Sequence, residues 1–408
     1  MKRSTERILT THAGGIERPP DLSSMLLAKG SGQPYDAGAL AGRVREAVGW
    51  IVDKQIAAGI DVVNDGEESK SWLNYARDRL SGLERRDLRP EEGPASVTIT
   101  GREEREFADY YATVGRGFSR GFAGGALRES RGGPAVRPVS PAGVFCVGPI
   151  EYVGMADCET DIANLKAAVA GKEVADACLT AIAPGTIEHW LRNEYYRSTE
   201  EFLFAIAEAM NAEYKAITAA GIVLQIDDPD LPDAWQHLLE MSVADYRKYA
   251  ELRVEALNHA LRGVPEEMVR LHICWGSLHG PHKHDIPLRD IVDVVLKVNA
   301  QGYSIEAANP RHDHEWHVWE EVKLPAGKVL IPGVIGHYTD TIEHPELVAE
   351  RLVRYAGVVG RENVIAGSDC GIGPRVGHPK IAWAKFEAMA VGARLATQEL
   401  WAGKVASV

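Results

Sequence analysis

Residues 268–276 read MVRLHICWG, a short run of branched apolar residues that stops at a glycine. Such a run, bounded by turn residues, predicts a buried strand. Outward from it the same unit recurs. GYSIEAAN (302–309), KVLIPGVIG (328–336) and NVIAGSDCG (363–371) follow, and GIVLQIDDPD (221–230), ACLTAIAPG (177–185), GIDVVNDGE (59–67) and RILTTHAGG (7–15) precede. Between these runs lie amphipathic, helix-like stretches at 40–58, 200–220, 244–262, 287–300 and 345–359, with a last one at 379–400. Strands alternating with helices predict a parallel sheet with crossover helices. Eight such units predict an α/β fold of the (β/α)8 TIM-barrel type, one domain over 1–408.

One interruption breaks the rhythm. Residues 68–176 are too many for one βα loop, and 84–140 is rich in Gly, Arg and Glu with little periodicity. An insertion after the second strand falls on the C-terminal face, where barrel active sites are built, so a lid or substrate wall is expected there. Inside it, 143–154 reads as an added strand and 159–170 as a helix.

Composition narrows the function classes. With 45 Lys+Arg against 58 Asp+Glu among 408 residues, the net charge is −13, which argues against a nucleic-acid or polybasic membrane-surface binder. At 45% hydrophobic and 25% charged the chain can bury a large core. No run approaches the roughly 18 apolar residues of a membrane span, and MKRSTERILTTHAGG lacks a signal-peptide core, so the expected compartment is the cytoplasm. Five cysteines (Cys146, Cys158, Cys178, Cys274, Cys370), odd in number and widely spaced, make a poor disulfide framework and leave thiols for metal or chemistry.

Side chains two apart on a strand share a face, so His272 and Cys274 present an imidazole and a thiol together toward the barrel interior. Glu306 and Cys370 close two later strands at the same rim. Two thiolates, an imidazole and a carboxylate suit tetrahedral Zn2+ better than Mg2+ or Ca2+. Singly, each has a plainer reading as core packing; it is the combination that points to zinc.

These segments resemble the catalytic barrel of the cobalamin-independent methionine synthases and their single-barrel relatives, which include the epoxyalkane:coenzyme M transferases. The resemblance runs through TTHAGG, VVNDGEES, APGTI, LQIDDPD, HICWG, YSIEAAN, IPGVIGH and SDCG. It implies His272, Cys274, Glu306 and Cys370 as zinc ligands, Glu67 and Asp227 as holders of an amino group, and His337 as a proton donor near the metal. Full-length synthases carry a further N-terminal barrel that helps bind polyglutamated folate, for which 408 residues leave no room, so the resemblance does not extend to a folate donor.

The expected activity is a zinc-dependent thiol S-alkyltransferase, methyl transfer to homocysteine being the model case. A site with two thiolates and a carboxylate is a weak Lewis acid toward carbonyls but can hold a substrate thiol as a nucleophilic thiolate. Glu306 is either a displaceable ligand or a permanent fourth one. His337, with His12 at the end of the first strand, would protonate the leaving atom. Asp227, Asp228 and Glu67 either grip an ammonium or cap loops and helices. Seven of the 14 histidines fall at 272–317, six of them in HGPHKHD and NPRHDHEWH, loops that could orient the metal ligands or, with Arg311, bind an anion. Trp72, Tyr75, Trp190, Trp275 and Trp316 could line an apolar pocket. Alternatives are an epoxide:thiol transferase, a carbon–sulfur lyase and, from other classes, a zinc hydrolase or a structural zinc barrel. Expected partners are a small-molecule thiol and an alkyl donor, with neither nucleic acid nor membrane; a homo-oligomer is compatible.

Overall fold

A computed structural model describes residues 1–70, 72–89, 92, 101–114, 142–276, 280–373 and 375–402. Its strands are β1 (Val62–Asn64), β2 (Leu83–Asp87), β3 (Ala142–Cys146), β4 (Asp176–Ile182), β5 (Arg192–Asn193), β6 (Val223–Asp227), β7 (Val269–Ile273), β8 (Gly302–Ile305), β9 (Val329–Ile335) and β10 (Gly367–Ser368). Seven form one parallel sheet in the order β1-β4-β6-β7-β8-β9-β10. The predicted first strand supplies the eighth member in reduced form. Thr11 N donates to Ala366 O and Ala366 N to Leu9 O, both at 2.8 Å, while Val62 N donates to Thr10 O at 3.0 Å, so residues 9–11 join the two ends of the sheet and the barrel closes. This run is shorter than the expected 7–15 because its bonding is shared with side chains: Asp61 Oδ2 takes the Thr10 amide at 2.9 Å, and Thr10 Oγ1 donates to Gly59 O at 2.7 Å.

The helices fall where the apolar period placed them. Ala37–Ala57, Thr199–Ala219, Val243–Ala260, Pro345–Val359 and Pro379–Trp401 cover the outside of the sheet, whereas the stretch expected at 287–300 is helical only over Leu288–Val295. Their starts are chemically marked. Asp36, Ser198 and Ser242 accept amides of the first turn, and Pro345 and Pro379 open their helices. Among the described residues no helix is long and apolar enough to cross a membrane.

Inside the barrel, polarity is layered. The N-terminal end is plugged by Val62, Cys178 and Val223. Above it Arg270 is fully buried and spans the lumen: its Nε donates to Gln225 Oε1 at 2.7 Å and its guanidinium nitrogens donate to Thr11 Oγ1 at 2.7 Å and His12 O at 2.8 Å. Asp227, His272 and Ser304 stand opposite one another in register two residues further along β6, β7 and β8, and so reach the C-terminal rim together.

The insertion adds a small sheet in which β2 runs antiparallel to β3 and β3 parallel to β5. The expected strand near 143–154 is β3 and the expected helix at 159–170 is Met155–Val169. Much of the remainder of 84–140 lies outside the described residues. The helix Gly101–Glu106 docks on the loops after β6 and β7: Arg102 Nε donates to Trp235 O at 2.6 Å, and Glu103 Oε1 accepts the His284 amide at 2.6 Å.

Candidate metal centre and substrate cleft

Two strand ends build the core of the site. His272 ends the inward face of β7, Cys274 follows one residue past the strand, and Cys370 lies two residues past β10. The Cys370 and Cys274 sulfurs are 3.8 Å apart, and donor atoms of His272, Cys274 and Cys370 all lie within 4.8 Å of one another. Ser304 Oγ engages His272 Nδ1 at 3.1 Å, while His272 Nε2 is buried with no hydrogen-bond partner. An orphaned imidazole nitrogen beside two thiols is a donor set that fits a borderline-soft cation such as zinc. Contact between the thiols holds Cys274 well above and Cys370 well below the usual thiol range, and the charge of Arg375 draws both downward.

Glu306 belongs to a neighbouring buried group with His337 and Asp369. It follows β8 directly. Its Oε2 accepts the Trp275 amide and its Oε1 accepts from Asn309 Nδ2, each at 2.8 Å, with His337 Nε2 at 3.9 Å. Burial raises the Glu306 carboxyl above its ordinary range. Asp369 Oδ1 accepts the amides of Ala307 at 2.7 Å and Ala308 at 2.6 Å, an approach that requires a glycine at 333, where a Cβ would stand 2.0 Å from that oxygen. Burial pushes Asp369 up to about 8, helped by the Glu306 charge.

Glu67 and Asp227 face the same cleft. Glu67 sits at φ +60°, and its Oε1 would lie 2.4 Å from a Cβ on Gly14, so this left-handed residue and that glycine fit only each other. Burial, reinforced by Asp227 and Asp65, pushes Glu67 up to about 8; burial also raises Asp227 to about 6, against the pull of His272. A buried carboxyl raised by its own burial and by a second carboxyl beside it forms a receptor for a cation that lets both ionise. Asp228 is placed differently. It accepts from Thr186 Oγ1 at 2.9 Å in the first turn of the helix Pro184–Trp190, with burial pushing it up to about 7.

His12 is not brought to the sulfur atoms. Its Nε2 meets Gln55 Oε1 at 2.8 Å, its Nδ1 accepts the Gly14 amide at 3.2 Å, and burial lowers it to about 4. A neutral ring with both nitrogens engaged steadies the Gly14 loop, its one N–H committed to Gln55.

The histidine-rich loops pair with acids. His279 lies outside the described residues; His284 meets Glu106 at 2.5 Å, His317 meets Glu320 at 2.7 Å, and Arg311 donates to Lys283 O at 2.7 Å. His312 is the buried one. It bonds Glu315 at 2.8 Å through Nδ1 and Asp285 at 3.1 Å through Nε2, and stacks on Trp275 at 4.1 Å. His282 meets the same Asp285 oxygen at 2.8 Å. Burial lowers the His312 pKa, but the two carboxylates overcome it and raise it to about 10. Its folded value lies above its unfolded one, so the stabilisation is complete below about 6.5 and disappears as pH rises through about 10. His312→Gln is therefore expected to cost up to about 5 kcal/mol in urea unfolding at pH 6, at about 1.4 kcal/mol per pH unit, and far less at pH 10. A loss that is the same at both pH values would contradict the ion-pair origin.

Of the five aromatics expected to line an apolar pocket, three among the described residues engage separate partners. Tyr75 bonds Glu213, Trp275 Nε1 donates to Ile286 O at 2.8 Å, and Trp316 lies against His317, while the Trp72 side chain lies outside the described residues. Sequence reasoning missed Ser304, Asp369 and Arg375. The first could have been found as the cross-strand neighbour of His272, and the second as the residue beside a metal-ligand candidate. Arg375 sits in a glycine-rich turn with no periodic signal.

Comparison with known proteins places this geometry. The sequence model of the family described as "Cobalamin-independent synthase, Catalytic domain" matches residues 144–393. The chain is 29% identical over 226 residues to the methionine synthase of Saccharolobus solfataricus and 28% over 218 residues to that of Thermococcus kodakarensis. Those alignments cover 54% and 53% of this chain and 59% and 56% of the relatives, so the chain spans less than two thirds of the curated relatives it matches. Among solved structures, a B12-independent methionine synthase from Shewanella sp. W3-18-1, in complex with selenomethionine, superposes with a TM-score of 0.66 at 19% identity, covering 97% of this chain and 99% of that one. A putative vitamin-B12-independent methionine synthase from Listeria monocytogenes gives 0.63 at 19%, covering 95% and 98%. Both share the barrel fold.

Proposed function

The chain belongs to the cobalamin-independent synthase family, whose catalytic-domain model spans more than half of it, and from that premise we propose that it is a zinc-dependent thiol S-alkyltransferase acting on homocysteine or a related thiol. The observation that carries this reading is the convergence of Cys274, Cys370 and the orphaned Nε2 of His272 at one barrel rim. These three residues, with Glu306, would hold the ion. When bound, zinc lowers the pKa of a coordinated thiol and keeps it nucleophilic at neutral pH.

The protein's own residues do the rest. Glu67 and Asp227 grip the substrate ammonium, which relieves their mutual repulsion. Trp275 N–H and Asn309 retain the Glu306 carboxylate, which would make it the exchangeable ligand beside the other three donors. His337, 3.9 Å from Glu306, holds a proton for the leaving atom of the donor. Asp228 supports the helix Pro184–Trp190, and His12 steadies the Gly14 loop. The insertion helix Gly101–Glu106, fastened over the loops after β6 and β7, walls the side on which the alkyl donor enters.

Zinc-edge X-ray absorption tests the reading directly. Adding homocysteine to the zinc-loaded protein is expected to raise the sulfur ligands from about two to about three. A shell unchanged by homocysteine and by other small thiols would sink it.

A further inference from the structure

Glu67 and Asp227 account for one end of an amino-acid thiol and leave the other unassigned. The cleft is a hostile place for an anion. Asp227 acts on Glu67, and Cys370 acts on both Asp227 and Glu306; Lys70 and Arg18 serve the Glu67 end, so a substrate carboxylate nearer the sulfurs needs a cation placed where that carboxylate lands.

The packing of two glycines shows where such a cation stands. Gly371, next to Cys370, lies against the Gly14–Gly15 turn: a Cβ on Gly371 would be 2.9 Å from Gly14 O, 3.3 Å from Gly15 O and 3.3 Å from an Arg375 guanidinium nitrogen. On its other side Gly14 touches Glu67, whose Oε1 would be 2.4 Å from a Cβ there. The Gly14–Gly371 contact thus carries an acid on one flank and a guanidinium on the other. Arg375 is only 8% exposed, is anchored by a 2.7 Å bond from its guanidinium to Gly371 O, and extends its charge to both Cys274 and Cys370. A guanidinium presents its donors in a planar fork that matches a carboxylate.

We propose that Arg375 is the anion-binding residue of the thiol site, taking the carboxylate of an α-amino-acid thiol whose ammonium lies between Glu67 and Asp227. The inference rests on the thiol-transferase reading above and narrows its substrate class to zwitterionic thiols. Acid and guanidinium, set on opposite flanks of one glycine contact, fix which way the substrate faces as its sulfur reaches the metal ligands. A simpler role for Arg375, offsetting thiolate charge alone, makes no distinction among thiols.

Calorimetric titration of the zinc-loaded protein separates the two. The ligands are homocysteine, aminopropanethiol, which lacks only the carboxylate, and mercaptobutyrate, which lacks only the amine. The wild-type protein is expected to bind homocysteine at least about tenfold more tightly than aminopropanethiol. Arg375→Gln should weaken homocysteine and mercaptobutyrate by about tenfold or more and leave aminopropanethiol within about twofold, with partial recovery in Arg375→Lys. Equal weakening of all three thiols would overturn the proposal. So would a wild-type protein indifferent to loss of the carboxylate, a result that needs no variant to fold. Failure of the underlying reading looks different: the zinc-loaded protein would then bind none of the three.

Discussion

Cys370→Ser is expected to remove zinc and turnover together. The variant should purify with less than about a tenth of the wild-type zinc under mild chelation and lose at least about a thousandfold in thiol alkylation, because a serine hydroxyl is a poor substitute for a thiolate ligand. Cys370 is half-buried at the rim, past the end of β10, and its sulfur contacts Cys274 rather than the apolar core. Its loss should therefore change the apo protein's unfolding free energy by less than about 1 kcal/mol, as for other substitutions away from packed cores. Metal content by mass spectrometry, turnover and urea unfolding check the three parts. Full zinc occupancy with wild-type turnover would remove Cys370 from the site. A large fall in stability of the apo protein would instead make it a packing residue.

Arg270→Met is expected to be the most destabilising single change in the lumen, at about 3–5 kcal/mol. The guanidinium satisfies Gln225 Oε1, Thr11 Oγ1 and His12 O, all buried, and methionine leaves each of them without that donor. Thr11 lies on the segment that closes the barrel and His12 directly follows it, so the change loosens residues 9–11 and with them the Gly14 loop that packs against Glu67 and Gly371. Denaturant unfolding measures the cost, and hydrogen exchange at Thr11 should quicken ahead of β6 and β7. A cost under about 1 kcal/mol would mean that water replaces the guanidinium in the lumen.

Both changes act where the sequence was unevenly legible. The H-x-C pair at the end of β7 follows from alternation alone, and the helix starts at Ser198, Ser242, Pro345 and Pro379 are written in their own first turns. Alternation also separates Asp227 from Asp228, since neighbours on a strand face opposite sides and only one of them can point inward. His12 was less readable. It ends the first strand at the active rim, yet its ring is consumed by Gln55 and the Gly14 amide, partners that no local pattern announces.

What the sequence determined by itself is therefore the periodic part: a parallel α/β barrel, the run of its strands and helices, and the residue types carried to the rim. Each depends on side chains a few positions apart, whose spacing is set by the backbone's own geometry. What only the tertiary structure decided is which of those side chains meet. Cys274 and Cys370 are 96 residues apart and touch because the barrel closes. For the same reason Glu306 turns to Trp275 and Asn309, and Arg375 comes to lie across a glycine contact from Glu67. Such meetings are set by closure and burial acting on the whole chain at once, which no local spacing encodes.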